Sequence, residues 1–499
     1  MSTHLQILAL SLIALTLFKA CDKAPKYSKP TSATAPGYKE ITPENFKETD
    51  NWKFAHPKDG VIRGKWWEMF NDPQLNALEE QVNIANQSVA LADANFRAAR
   101  AVIKENRSEY FPTVTTSPSI IKQKQSAATS TSNFASGRMF TTYSLPFDAS
   151  WEPDFWGRIR NTVRVSAYEA QATVGDLENV RLTVQAEVAF DYYQLRALDA
   201  QKALLDSTVV AFQKQLDLTR ALFDTGIDSD EDVALAETQL ETTQAQATDI
   251  LILRAQLEHA IAMLTGQPAS TFSVPFAPMK ATPPPVPLGV PSQLLERRPD
   301  IAAAERRVAE ANAEIGVTKA AFFPALTLSG TTGLESISIA TWFTWPARFF
   351  SVGPTLAQTL FDKGRRSAVT EQARALYDGT VATYRLSVLT AFQEVEDNLA
   401  ALRILSRELE QQNGAVASAQ RTLSLANERY IAGIDSYLNV ITAETALLTN
   451  QRTALTIQMD QMTASVQLIK ALGGGWNVSE LPTPKELSAK PQATPKPSP

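Results

Sequence analysis

The chain has 499 residues, and its 47 basic and 53 acidic side chains give a net charge of −6. This balance argues against nucleic acid as the main partner, because phosphate binding needs a basic face. The three histidines lie far apart, and no phosphate-binding loop, nucleophile motif or zinc-binding motif occurs. The sequence therefore predicts no enzyme, no cofactor and no metal site.

The first element is an apolar N-terminal run, LQILALSLIALTLFKA. It is too short to span a bilayer as a helix, and residues 1–20 are predicted to be a signal peptide. Cys21 follows and resembles the acylated cysteine of bacterial lipoproteins, although Phe18 and Lys19 are unusual before such a cysteine. The alternative is an ordinary secretory signal with an incidental cysteine. Residues 21–65 are polar and contain prolines, and they are interpreted as a lipid-anchored tether.

Two long blocks without proline dominate the rest of the chain, and both are rich in good helix formers. In the second block apolar residues recur every seven positions, which is the spacing of coiled-coil packing. Each block is interrupted once, by Gly-Ile-Asp-Ser, and Gly226 and Gly433 suit a tight turn with positive φ. Helical hairpins are therefore predicted over about 158–265 and 365–473. The turns lie 433 − 226 = 207 residues apart, and other residue pairs share that offset, which indicates a tandem repeat.

Two strand candidates precede the hairpin in each half, at about 112–122 and 141–153 and at about 324–333 and 351–361. The second candidate is the clearest, because apolar and polar residues alternate from Tyr143 to Trp151. After the tether, the chain is divided into four segments. They are a first repeat (66–273), a proline-rich crossover (274–293), a second repeat (294–476) and a disordered Pro/Lys-rich tail (477–499).

The apolar face of so small a sheet needs a cover, and a soluble alternative packs it on the helices. The long helices already use their apolar seams on one another. Closure with strands of other chains into a membrane barrel is therefore the favoured prediction. The predicted fold class is mainly α, with duplicated coiled-coil hairpins and four strands per chain that complete a small transmembrane β-barrel.

Several long strings resemble the TolC-type outer-membrane factors, and the NodT-type efflux lipoproteins in particular. They are GKWWEMFNDPQLNALEEQ (64–81), FDASWEPDFWGRIR (147–160), LLERRPDIAAAERRVAEANAEIGVTKAAFFPALTLSG (294–330) and LGGGW (472–476). The resemblance implies a homotrimer, with a twelve-stranded barrel in outer-membrane lipid and an α-helical tunnel in the periplasm. It implies a passive exit duct that works with a periplasmic adaptor and an inner-membrane pump of the RND class. Two alternatives stay open: the duct of a type I protein-secretion system, and a trimeric stalk that conducts nothing.

The resemblance also assigns the two Gly-Ile-Asp-Ser turns to the periplasmic mouth of the tunnel, where the family docks its adaptor and opens. It implies that Tyr430 is a gating tyrosine and that Asp232 is the aspartate to which it bonds across helices. Asp435 stands where the family has an arginine, and Asn439 stands where it has a luminal aspartate. The closing contacts of this mouth are therefore expected to differ from those of the family.

The first turn carries most of the charge, with five acidic residues in nine positions: Asp224, Asp228, Asp230, Glu231 and Asp232. Each residue alone is interpreted as part of a solvated turn. Three copies around one opening would create a negative field that favours cations. The cluster is therefore hypothesised to be a cation-selecting mouth or an electrostatic match to a basic adaptor.

Overall fold

The computed structural model describes residues 24–32, 34, 37–41, 64–124, 139–280, 282–286 and 294–488. The predicted signal peptide, Cys21, much of the predicted tether and the end of the tail lie outside these residues. Long helices dominate the described part of the chain, and one antiparallel sheet accompanies them. The predicted fold class, mainly helical with a small sheet, is confirmed.

The α-helices of the described residues are, in chain order, α1 (Pro73–Ala85), α2 (Gln87–Ser108), α3 (Arg158–Asp224), α4 (Asp230–Leu264), α5 (Leu294–Arg297), α6 (Pro299–Ala320), α7 (Arg365–Ile431), α8 (Tyr437–Ala471) and α9 (Pro484–Ser488). The first arm of each hairpin, α3 or α7, has 67 residues, and the second arm, α4 or α8, has 35. At 1.5 Å per residue, the longer arms measure about 100 Å. The two halves of the chain therefore contain hairpins of the same dimensions.

The strands are β1 (Thr113–Thr116), β2 (Ser119–Lys124), β3 (Met139–Trp151), β4 (Ala325–Ser336) and β5 (Arg348–Ala357). Both β1 and β2 pair with β3, which pairs with β4, which pairs with β5.

Two strand predictions need correction. The segment predicted as one strand, 112–122, forms two, although β1 and β2 keep one register against β3. Pro118 and Pro146 lie at the break, and neither has the backbone N–H that a ladder needs. The last predicted strand, 351–361, lies earlier along the chain, at Arg348–Ala357. It ends there because Ala357 faces Ala325, the first residue of β4.

The register gives the sheet two unlike faces. On one face Ala149 lies beside Gly330, which lies beside Val352, and on the other Asp148 lies beside Thr331. This agrees with the alternation predicted for β3. Val352 is 82% exposed in the chain, like other large apolar residues of its face. The helices therefore leave this face uncovered, in contrast to the soluble alternative.

The largest core joins α1, α3, α7 and α8 with a short 3₁₀ helix, Trp66–Phe70. Trp66 and Trp67 are each 1% exposed, and Trp66 packs edge-on against both Trp67 and Phe70. This pair fixes the segment before α1 against the long helices.

The prediction of disorder for the tail is wrong for residues 477–488. Leu487 of α9 is 2% exposed and packs in a cluster with Ile103 and Ala167. Arg100 donates a hydrogen bond to the Leu487 carbonyl at 2.9 Å. The tail therefore gains enough apolar and polar contact with α2 and α3 to order its first part.

A buried ionic network joins the start of the proline-rich crossover to α3 and α4. Asp199 is 0% exposed, and its carboxylate accepts hydrogen bonds from Arg196 at 3.1 Å and from Arg254 at 2.7 Å. It also accepts the backbone N–H of Ala277 at 3.0 Å. The crossover therefore begins as a packed segment, and Val274 is only 2% exposed.

Candidate functional site

Both long hairpins end in turns of the same backbone shape, which we call the first tip (residues 219–232) and the second tip (residues 426–439). In the first tip the Gly226 N–H donates to the Phe223 carbonyl at 2.8 Å, and the Ile227 N–H donates to the Leu222 carbonyl at 3.0 Å. This pair of bonds is the Schellman motif, and it recurs 207 residues later. Gly226 and Gly433 have φ values of 75° and 68°, as predicted for these turns.

The helix that follows each tip is capped differently. In the first tip the Ser229 hydroxyl accepts the Asp232 N–H at 3.2 Å, and the Asp232 carboxylate accepts the Ser229 N–H at 3.3 Å. This reciprocal capping box gives acceptors to two backbone N–H groups at the start of α4 that would otherwise be unpaired. Ser436 makes no such side-chain bond, and the Asn439 N–H bonds to the Ser436 carbonyl instead, at 3.2 Å.

Replacement of Ser229 with alanine should therefore weaken the start of α4 by about 1 kcal/mol, because the Asp232 N–H loses its acceptor. Amides in the first turn of α4 should then exchange with deuterium roughly fivefold faster. Ser436→Ala is the matched control, and we expect it to leave the first turn of α8 unchanged. Equal effects of the two substitutions would contradict this account of the capping.

The two tips are joined through Tyr430. It is 4% exposed, and its hydroxyl donates a hydrogen bond to the Asp228 carboxylate and lies 3.2 Å from the Thr219 hydroxyl. Burial, followed by the bond to Asp228, raises the pKa of Tyr430 above its ordinary range. The aspartate that bonds to Tyr430 is therefore Asp228, and the prediction of Asp232 is wrong. Asp232 is already engaged in the capping box of α4.

The remaining contacts of the second tip are of two kinds. Asp435 pairs with Arg429, whose side chain is 57% exposed. Tyr430 packs against Tyr437, with ring centroids 5.4 Å apart. The apolar core between the tips is formed by residues of all four long helices: Phe212, Leu216, Ala236, Leu240, Tyr430, Tyr437 and Val440.

The predicted acidic cluster does not act as a unit. Asp224, Asp230 and Glu231 are exposed, whereas Asp228 and Asp232 are half-buried and engaged as described. Asn439 is exposed as well. Asp224, Asp230 and Glu231 therefore determine the electrostatic field at the surface of the first tip.

Sequence reasoning missed Thr219 and Glu444. Thr219 gave no signal, because a threonine inside a helix is ordinary. Glu444 could have been found from the repeat. Its counterpart Glu237 pairs with Arg220 at 2.6 Å, whereas the counterpart of Arg220 in the second half is Asn427.

Among the described residues, no three or more His, Cys, Asp or Glu side chains are arranged to hold a metal ion. The same part of the chain contains no helix that is both long and apolar enough to cross a membrane. The two tips are held together by hydrogen bonds between the two helical hairpins. These bonds can form or break.

Long duplicated hairpins that end in paired tips and carry a small two-faced sheet define a class of envelope proteins. A model of the outer membrane efflux protein family matches residues 72–267 and 290–474. The chain therefore belongs to this family. The resemblance inferred from the sequence is confirmed at this level.

Relatives and solved structures agree with this assignment. The solvent efflux pump outer membrane protein SrpC of Pseudomonas putida is 32% identical over 414 residues, which cover 83% of this chain and 88% of SrpC. The pyoverdine export outer membrane protein OpmQ of Pseudomonas aeruginosa is 30% identical over 434 residues, 85% of this chain and 90% of OpmQ.

Among solved structures, the outer-membrane channel OprN superposes with a TM-score of 0.81 at 29% identity, over 91% of this chain and all of OprN. The CmeC outer membrane channel of Campylobacter jejuni superposes with a TM-score of 0.82 over 92% of this chain and 96% of CmeC. Its identity is 22%, so this second likeness concerns the fold alone.

Proposed function

We propose that the protein is the outer-membrane exit duct of a tripartite efflux system. The observation that carries the proposal is the sheet, because the helices leave the large apolar side chains of one of its faces uncovered. Exposed apolar residues over a whole sheet face are costly in water and favourable in lipid. The opposite face, with Asp148 and Thr331, suits a water-filled lumen.

Closure of the sheet requires other copies of the chain. Among the described residues, β5 pairs only with β4, and β1 and β2 pair only with β3, so this part of the sheet has open edges on both sides. Open edges in lipid leave backbone groups without partners. A homotrimer satisfies them with twelve strands, because β1 and β2 count as one strand in each chain. Native mass spectrometry of the detergent-solubilised protein should detect a trimer, and a monomer alone would count against this closure.

An N-terminal anchor fits this arrangement. The Asn312 side chain of α6 donates to the Pro25 carbonyl at 2.9 Å, and the Lys39 N–H donates to Glu396 of α7 at 2.7 Å. Tyr27 also donates a hydrogen bond to Glu305 of α6, and Arg385 of α7 donates to the Thr31 carbonyl at 3.2 Å. Cys21 precedes Ala24 by three residues, a reach of at most about 11 Å. Acylated Cys21 would therefore enter lipid near the sheet end of α6.

The hairpins then extend into the periplasm, and their tips meet the periplasmic adaptor of an inner-membrane RND pump. Energy comes from the pump, and this chain performs no catalysis. Relatives of the chain include a solvent efflux, a toluene efflux and a pyoverdine export outer membrane protein. We infer small, chemically diverse cargo, with the choice among compounds made by the pump.

The exposed acids of the first tip give a testable property of the mouth. Asp224→Asn, Asp230→Asn and Glu231→Gln together remove three negative charges per chain and leave Asp228, the partner of Tyr430, in place. We expect the reversal potential in a salt gradient to move towards zero, because the cation-attracting field is weakened. Binding of a basic adaptor should weaken as well.

The control is Glu241→Gln, which neutralises an exposed acid of α4 outside the tip. It should change neither quantity. If the triple variant leaves both the reversal potential and adaptor affinity unaltered, the acidic cluster has no role at the mouth.

A further inference from the structure

The second hairpin contains a buried carboxyl group that lacks the partner its counterpart has. Glu444 is 7% exposed, and one of its carboxylate oxygens has no hydrogen-bond partner among the described residues. Glu237 holds the same place in the first hairpin, since 444 − 237 = 207, and pairs with Arg220 at 2.6 Å. Asn427 occupies the position that corresponds to Arg220. Its side-chain amide oxygen is also buried and has no hydrogen-bond partner among the described residues.

The helices packed around Glu444 contribute acidic and neutral side chains to its surroundings. Tyr430 of α7, Tyr437 of α8 and Asp232 of α4 lie within electrostatic reach of one another, and the charge of Glu444 acts on Tyr437. The residues that α3 contributes to the tip core carry no charge: Phe212, Leu216 and Thr219. Burial alone raises the pKa of Glu444, to about 7. Its ionised form is therefore poorly tolerated where it lies.

We propose that Glu444 is a proton-sensitive switch, which keeps the second tip packed while it is neutral and loosens the tip when it ionises. The pKa of about 7 in the packed tip exceeds the ordinary value of 4.5. A raised carboxyl pKa means that protonation favours the packed form. Packing is therefore strongest below about pH 4.5, weakens as the pH rises from there through 7, and levels off above it. Between pH 6 and pH 8 the packing equilibrium should shift about tenfold per chain.

The consequence for channel opening rests on the proposed function, whereas the change in packing does not. Hydrogen–deuterium exchange of the full-length protein in detergent, corrected for intrinsic exchange rates, measures the packing. For amides of residues 426–448 we expect about tenfold less protection at pH 8 than at pH 6.

Two substitutions and one control make the assignment specific. Glu444→Gln keeps the shape of the side chain without the titration, and it should remove the pH dependence and give at least the protection seen at pH 6. Asn427→Arg restores the partner present in the first hairpin and should also remove most of the pH dependence. Glu237→Gln alters the counterpart, whose side chain is 44% exposed and already paired, and should leave the pH dependence intact.

A wild-type tip with equal protection at both pH values would overturn the proposal, and so would a full pH response in Glu444→Gln. Conductance measured over the same pH range separates the two claims. Loss of protection at pH 8 without a change in conductance would support the switch and count against the tip as the gate.

Discussion

Loss of the bond between Asp228 and Tyr430 is expected to open the mouth of the tunnel at least about tenfold more often. Tyr430 is buried between the hairpins, and its hydroxyl bonds to a carboxylate on the opposite tip. Hydrogen bonds to charged groups contribute about 1.5–3 kcal/mol, and each 1.4 kcal/mol is a factor of ten. Tyr430→Phe and Asp228→Ala should each accelerate the release of a large polar dye from proteoliposomes.

The second tip supplies the matched control. Asp435 is the counterpart of Asp228, since 435 − 228 = 207, but it pairs with Arg429, and the two side chains are 25% and 57% exposed. Exposed ion pairs contribute little, so Asp435→Asn should change dye release less than about twofold. Equal acceleration by Asp228→Ala and Asp435→Asn would mean that any change in the tips opens the mouth, and that the Tyr430 bond has no special role.

Replacement of Asp199 with alanine should cost the protein about 3–5 kcal/mol of stability. The substitution removes the carboxylate that pairs with Arg196, which is 4% exposed, and it leaves Arg254 with Glu258 alone, at 3.5 Å. Uncompensated buried charge is among the few causes of so large an effect. The crossover should also loosen around Ala277, because the Ala277 N–H loses its acceptor. Urea unfolding of the purified protein, followed by circular dichroism, measures the loss.

Asp206 provides a comparison on the same helix, seven residues further along α3. It pairs with Lys202, and its side chain is 53% exposed. Asp206→Ala should change the free energy of unfolding by no more than about 0.5 kcal/mol. A similarly small effect of Asp199→Ala would show that the network contributes little to stability.

The hairpins and their tips were predictable because helix periodicity and a duplicated turn are both local signals. The 67-residue arms begin at Arg158 and Arg365, where the sequence predicted them, and Gly226 and Gly433 adopt the positive φ expected for the turns. Alternation along β3 likewise predicted which residues share a face. These features depend on neighbours in sequence.

One error arose from a local helix cap, and the others arose where distant residues meet. A family pattern pointed to Asp232 as the partner of Tyr430, but the serine three residues before it competes for that carboxylate as a helix cap. The position of Pro146 on β3, opposite the gap between β1 and β2, decided where one strand became two. The order of the first part of the tail depended on Leu487 finding an apolar site on α2 and α3. None of these contacts is encoded by periodicity.

The central claim is that this chain forms a conducting duct with a mouth closed at the tips. Planar-bilayer recording of the purified full-length protein tests it most directly, with the wild type and Asp228→Ala side by side. The account predicts discrete conductance steps, with a larger open fraction in the variant. An absence of steps in both proteins, after confirmed insertion into the bilayer, would contradict it and favour a non-conducting stalk.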